Sequence, residues 1–136
     1  MNNNKIVAIN GRFLARRQTG QERFASEIVK NIDLICKKGE IELIVPHEVE
    51  EDVQLNNIQV IKYGNHKSHL WEQTDYYIYC KRNKRLSLNL CTIQPLLSPG
   101  IVCIHDISYK INPEFFKSKY GKLSAIWHKL NYYVAM

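Results

Sequence analysis

The chain of 136 residues has 45% hydrophobic and 24% charged residues with 6 Gly and 4 Pro, the make-up of one ordinary globular domain, which excludes collagenous and disordered classes. Its net charge of +6 is unevenly spread, at +5 over residues 1–39, −6 over 40–75, +3 over 76–109 and +4 over 110–136. Basic flanks around an acidic middle attract phosphates on a nucleotide, a nucleic acid or a lipid headgroup without choosing among them, and the plainer reading is a solvated basic surface.

Residues 5–10 form a short apolar run rich in β-branched side chains that ends at Asn10-Gly11, which predicts a buried first strand at the centre of a sheet. After a polar loop over 12–18, Thr19-Gly20-Gln21-Glu22 reads as a capping box that starts a helix. Phe24, Ile28, Ile32 and Ile35 recur on one face of that helix, which is expected to stop near Lys37-Lys38-Gly39. Residues 41–45 and 58–63 predict the second and third strands, closed by Pro46 and Gly64, with the acidic loop Glu48-Val49-Glu50-Glu51-Asp52 between them. Ser68 is expected to cap a helix with apolar positions Leu70, Trp71, Thr74, Tyr77 and Ile78, stopped by the basic run 81–85. Residues 86–90 give a short strand, Gln94-Pro95 and Ser98-Pro99-Gly100 a loop, and 101–104 a fully apolar, buried strand ending at His105-Asp106. From Tyr120 onward, Leu123, Trp127, Leu130 and Val134 predict a final amphipathic helix.

Strand runs without in-and-out alternation, separated mainly by helices, predict an α/β fold: a Rossmann-like parallel sheet with helices on both faces. The last helix is still apolar at Met136 and has no stop signal, so residues 1–136 read as a single domain that is cut short and exposes apolar edge, prone to self-association. Cys36, Cys80, Cys91 and Cys103 stand far apart with no C-x-x-C pair, which predicts reduced, structural thiols. The N-terminus lacks a secretory apolar run and no segment reaches the ~18 apolar residues of a membrane span, so a cytoplasmic location is expected.

In an open parallel sheet, ligands sit outside the carboxyl ends of the strands, where loops diverge and helix N-termini point inward. Two segments meet that condition. Asn10-Gly11-Arg12 with Arg16-Arg17-Gln18-Thr19-Gly20 offers glycines for close backbone approach and guanidiniums for phosphate or sugar-acid oxygens, or else a polar loop with a plain helix cap. His105-Asp106 offers an imidazole and a carboxylate at a strand end, or else a histidine satisfied by backbone beside a turn-capping aspartate. His66-x-x-His69 has metal-ligand spacing but no third ligand tied to it, and no metal is expected. Trp71, Tyr76, Tyr77 and Tyr79 read as helix–sheet packing, with sugar stacking as the minor alternative. The basic run 81–85 lacks any nucleic-acid-binding pattern, so no nucleic-acid partner is expected. Tyr120, Trp127, Tyr132 and Tyr133 with Lys117, Lys119, Lys122 and Lys129 fit a membrane-surface helix.

At these segments the sequence resembles the family 4 retaining glycosyltransferases of bacterial surface-polysaccharide synthesis. The resemblance is carried by Ile9-Asn10-Gly11-Arg12-Phe13-Leu14 and by the run from Gln18-Thr19-Gly20-Gln21-Glu22-Arg23-Phe24 to Ile28. It continues in Ile104-His105-Asp106-Ile107-Ser108 and Asn112-Pro113-Glu114-Phe115-Phe116. It implies a GT-B architecture in which this chain is the acceptor-side N-terminal domain and the donor-binding C-terminal domain is absent, so that the chain alone is inactive. It further implies that Gly11, Arg12, Thr19, Gly20 and Arg23 bind substrate, that His105 contacts the transferred sugar near the reacting carbon, and that Asp106 shares that crevice. Neither a cofactor nor a metal is implied. The implied partners are a nucleotide-sugar donor and a glycan or lipid-linked acceptor, with peripheral contact at the inner membrane surface. Gln21-Glu22 departs from the commoner apolar-Gly pair at that turn. The other reading is a free-standing glycan- or phosphate-binding α/β module using Arg12, Arg16 and Arg17.

Overall fold

In the computed structural model, which describes residues 5–50 and 52–135, strand β1 (Val7–Asn10) pairs in parallel with β2 (Ile41–Val45) on one side and β4 (Leu86–Asn89) on the other. Strand β3 (Gln59–Lys62) lies outside β2 and β5 (Ile101–Val102) outside β4, giving a five-stranded, all-parallel sheet of order 3-2-1-4-5. The chain is therefore an α/β protein with a Rossmann-like sheet. The order reverses between β1 and β4, the place where such sheets open a crevice at their carboxyl edge.

Alternate residues of β1 and β2 feed two separate cores because neighbouring strand side chains point to opposite faces. Ile9, Leu43 and Val45 pack with Ala25 and Val29 of α1 (Gly20–Ile35). Ala8 and Ile44 face the other way, against Trp71, Tyr76, Tyr79 and Cys80. Those four come from one helical run made of α2 (Ser68–Trp71), a π-helical segment (Glu72–Tyr76) and α3 (Tyr77–Arg82). Two further helices follow β5: α4 (Ser108–Ile111) and α5 (Pro113–Ala135).

Several expectations are corrected. On α1 the buried stripe is Glu22, Ala25, Val29 and Asp33, while Ile28 and Ile32 lie only on its flank and Phe24 and Ile35 are exposed. Two carboxylates occupy the inner face because each has partners: Glu22 accepts from Thr19 and pairs with Arg16, and Asp33 is held by backbone amides. Asp33 accepts the backbone N–H groups of Asn56, Asn57 and Ile58 at 2.7–2.8 Å. Burial works against its charge, but these amides outweigh it and hold the carboxyl below its ordinary value. The helical run 68–82 is rotated in the same sense: Trp71, Glu72, Asp75, Tyr76, Tyr79 and Cys80 are buried and Leu70 is exposed. Ser68 does not cap. It has φ +55 and Lys67 is the residue before the first turn, without a side-chain cap. The segment 101–104 is a two-residue edge strand with Ile101 exposed rather than a buried strand. The expected polar loop after β1 is a 3-10 turn, Gly11–Ala15, in which Gly11, Arg12 and Phe13 are buried. The last helix begins at Pro113, before Tyr120. The side chains of Phe115, Phe116, Lys117, Lys119 and Tyr120, like the first four residues and Glu51, lie outside the described residues.

All four cysteines are free thiols. Burial, reinforced by Glu22, pushes the Cys91 thiol up to about 12, and burial lifts Cys80 to about 11. Both are inert packing groups at neutral pH.

Candidate functional site

Gly11 ends β1 against its neighbour strand. A Cβ there would stand 2.6 Å from both the Ile44 carbonyl oxygen and Val45 Cγ1, so this glycine lets the chain leave the sheet beside β2. Arg12, next in sequence, turns inward. Its Nη1 donates to Glu72 Oε2 at 2.8 Å, and the two side chains are only 8% and 5% exposed. Glu72 Oε1 accepts Asn10 Nδ2 at 3.0 Å, and Asn10 Nδ2 also donates to Asn89 Oδ1 at 3.1 Å. A buried polar network thus spans the carboxyl ends of β1 and β4 and the first turn of the π segment. Such groups are stable inside only when each finds a partner.

The chain then runs outward through Arg16 to Thr19. The capping box is present: the Glu22 side chain accepts the Thr19 N–H at 3.2 Å and also the Thr19 hydroxyl. Arg16 Nη1 lies 3.0 Å from Glu22 Oε1. Burial raises the Glu22 carboxyl, but the Thr19 hydroxyl, backbone donors and Arg16 together bring it below its ordinary value, so it is a fixed anion. Beside it Gly20 is open, since a Cβ there would meet nothing within 4 Å. Arg17 and Arg23 are exposed.

The second segment reaches the same edge. Cys103 N donates to the Asn89 carbonyl at 2.8 Å and Thr92 N to the Cys103 carbonyl at 3.1 Å, which ties the stretch after β5 to the exit of β4. His105 Nε2 stands 2.6 Å from the Leu90 carbonyl oxygen. A carbonyl only accepts, so Nε2 carries the proton and Nδ1 is the nitrogen left for a ligand. The imidazole also meets the Phe24 ring of α1 edge-on at 4.8 Å. Asp106 accepts the Ser108 hydroxyl at 2.7 Å and the Ser108 N–H at 2.6 Å, which hold its carboxyl below the usual range. It pins the start of α4 and remains exposed.

Between these turns and α5 lies a cleft of about 300 Å³, walled by Arg16, Thr19, Glu22, His69, Thr92, Asp106 and His128. The Thr92 hydroxyl on this wall is buried and has no hydrogen-bond partner. Burial, with His69 and Arg16 nearby, keeps the His128 imidazole below its ordinary value. A larger hollow of about 410 Å³ lies between Lys38-Gly39 and residues 53–60, at the amino edge of the sheet, and among the described residues Lys38 is the ionisable group that lines it.

The two predicted segments therefore meet at one edge. Thr19 and Asp106 line the cleft, whereas His105 packs against Phe24 and the Leu90 carbonyl and is not among its lining residues; Gly11 is held in packing against β2 and Arg12 in an internal ion pair. The histidines at metal-ligand spacing diverge: His66 Nδ1 lies 3.0 Å from both Asp75 oxygens, whereas His69 turns to Glu72. Among the described residues no group of three potential ligands gathers for a metal. Sequence reasoning did not single out Glu72, Asn89, Thr92 or His128. The one legible signal was Glu72 and Asp75 within the aromatic face of Trp71, Tyr76 and Tyr79, where carboxylates persist only if paired.

No protein-family model matches this chain, and no curated protein or solved structure matches it.

Proposed function

We propose that the chain is the acceptor-side, N-terminal part of a retaining glycosyltransferase of GT-B type, which moves a sugar from a nucleotide-sugar to a glycan or glycolipid acceptor in surface-polysaccharide synthesis. The observation that carries this reading is that the turn before α1 and the His105-Asp106 turn reach the same carboxyl edge of a parallel sheet, with Thr19 and Asp106 on one open cleft and His105 against Phe24 of α1. The helix N-terminus at Gly20 offers N–H groups to an anionic leaving group. His105 Nδ1, with its partner nitrogen fixed by Leu90, accepts a hydrogen bond from a sugar hydroxyl. Transfer on this reading is mainly positioning plus stabilisation of the departing diphosphate. The acceptor hydroxyl attacks on the face the nucleotide leaves, and a second nucleotide-binding lobe faces this edge.

The outer face of α5 supports a lipid-linked acceptor. Leu123, Ile126, Leu130 and Tyr133 are exposed beside exposed Lys122 and Lys129, a composition suited to an anionic membrane surface. Among the described residues no helix is long and apolar enough to cross a membrane. A phosphate-binding module working through Arg12, Arg16 and Arg17 is less well supported, because two of those three guanidiniums already face internal carboxylates.

The test is transfer. Co-expressed with the donor-binding lobe of a family 4 enzyme, the chain is expected to support sugar transfer from a nucleotide-sugar, and His105→Ala to abolish it. Transfer unaffected by His105→Ala would remove the site assignment. Absence of transfer with calorimetric binding of glycans by the chain alone would favour the module.

A further inference from the structure

His69 stands on the wall of the same cleft, and its inner ring nitrogen is held from below. Nδ1 lies 3.3 Å from Glu72 Oε2 and 3.3 Å from Arg12 Nη1. The imidazole is 45% exposed while Glu72 is 5% exposed, so the ring has one edge on a buried ion pair and the other, bearing Nε2, on the open side. The ring meets Trp127 of α5 edge-on at 5.9 Å.

Two states satisfy this geometry without moving a heavy atom. With Nδ1–H donated to Glu72, Nε2 offers a lone pair; with Nδ1 accepting from Arg12, Nε2 offers a proton. The backbone is bent to make this arrangement. Ser68, directly before His69, has φ +55 and takes Arg12 Nη2 on its hydroxyl at 3.4 Å. Glu72, three residues on, opens the π-helical segment. Left-handed non-glycine residues and π segments both recur at functional sites, where surrounding interactions hold the strain.

We infer that His69 is a catalytic residue of this cleft, taking the proton of a bound ligand hydroxyl on Nε2, with Glu72 and Arg12 as positioning residues on Nδ1. The inference rests on the sugar-transfer reading for its ligand, a polyhydroxylated acceptor. In the step, the hydroxyl proton passes to Nε2 while the hydroxyl oxygen bonds to the anomeric carbon. The bond from that carbon to the diphosphate oxygen breaks and its electron pair stays on the diphosphate. Once product leaves, Nε2 returns its proton to water and the imidazole ends neutral. The charged or titratable groups around it among the described residues are Arg12 and Glu72 below, His128 and Tyr132 of α5, and Arg16, Glu22, Cys91 and Asp106 on the cleft walls.

The test is nitrogen NMR of the full chain labelled at histidine, titrated with methyl glycosides of glucose, galactose, mannose and N-acetylglucosamine. The expected result is a saturable shift of His69 Nε2 with at least one glycoside. Glu72→Gln should move the neutral ring toward the Nε2–H form, because Arg12 becomes the main partner of Nδ1. His69→Gln should weaken binding about fivefold, the loss of one hydrogen bond. A shift at His105 with none at His69 overturns the inference and leaves the transfer reading standing. No shift at either imidazole with any glycoside overturns both. The wild-type titration decides the matter even if a variant fails to fold.

Discussion

Arg12 is the residue for which the structure and a ligand-binding reading make opposite forecasts. If its guanidinium is an internal group, removing its carboxylate partner strands a cation whose side chain is 8% exposed. Glu72→Met deletes the acceptor of Arg12 Nη1 at 2.8 Å and of Asn10 Nδ2 at 3.0 Å. A buried ion left without its partner costs about 3–5 kcal/mol, which for a chain of this length lowers Tm by roughly 10–18 °C. Arg12→Met leaves the Glu72 charge buried with Asn10 and His69 as donors, and should cost a similar amount. The double variant Arg12→Met/Glu72→Met removes both charges and fills the space with apolar side chains, so it should lie within about 2 kcal/mol of the native protein. Urea unfolding of the four proteins at neutral pH measures the cycle. Single variants costing under about 1 kcal/mol, or a double variant as unstable as the summed singles, would refute the assignment of Arg12 to the interior.

Three further outcomes follow from named contacts. Asp33→Asn weakens the acceptor of three backbone amides and should cost about 2 kcal/mol at pH 7. Because the folded carboxyl lies below its unfolded value, that contribution is present above the unfolded pKa of about 3.9 and fades as pH falls through the folded value. The gap between native and variant urea midpoints should therefore narrow in acid, and a gap that widens there would contradict the assignment. Gly11→Ala forces a Cβ to 2.6 Å from the Ile44 carbonyl and should lower stability by about 2 kcal/mol or more, whereas Gly20→Ala enters open space and should be neutral or stabilise by about 0.5 kcal/mol; equal thermal melts for the two variants would speak against the packing described. Cys91, with its thiol pushed up to about 12, and Cys80, at about 11, should resist iodoacetamide in the folded protein at pH 8. Peptide mapping that found either modified at the rate of a free thiol would show that these sites open.

The sheet was legible because β-branched runs at 5–10, 41–45 and 58–63, with helical spacing between them, leave few arrangements other than a parallel sheet. The capping box at Thr19 was legible for a local reason: both partners lie within one turn. The faces of the helices were harder to read. Periodicity ranks apolar side chains, so it favoured Phe24 and Ile35 over Glu22 and Asp33, whose burial depends on partners at Arg16 and residues 56–58. The role of Arg12 was hidden for the same reason, since its carboxylate stands sixty residues away in sequence. His69 was visible only as half of a spacing, because its contact with Arg12 joins residues far apart in sequence.

The most direct measurement is amide shift mapping of the chain with a panel of nucleotide-sugars. If the turn before α1 and His105-Asp106 form one ligand-binding edge of the sheet, a saturable set of shifts includes Arg16, Thr19, Gly20, Thr92, His105 and Asp106. Saturable shifts centred instead on Lys38-Gly39 and residues 53–60, or none with any member of the panel, would contradict that shared edge.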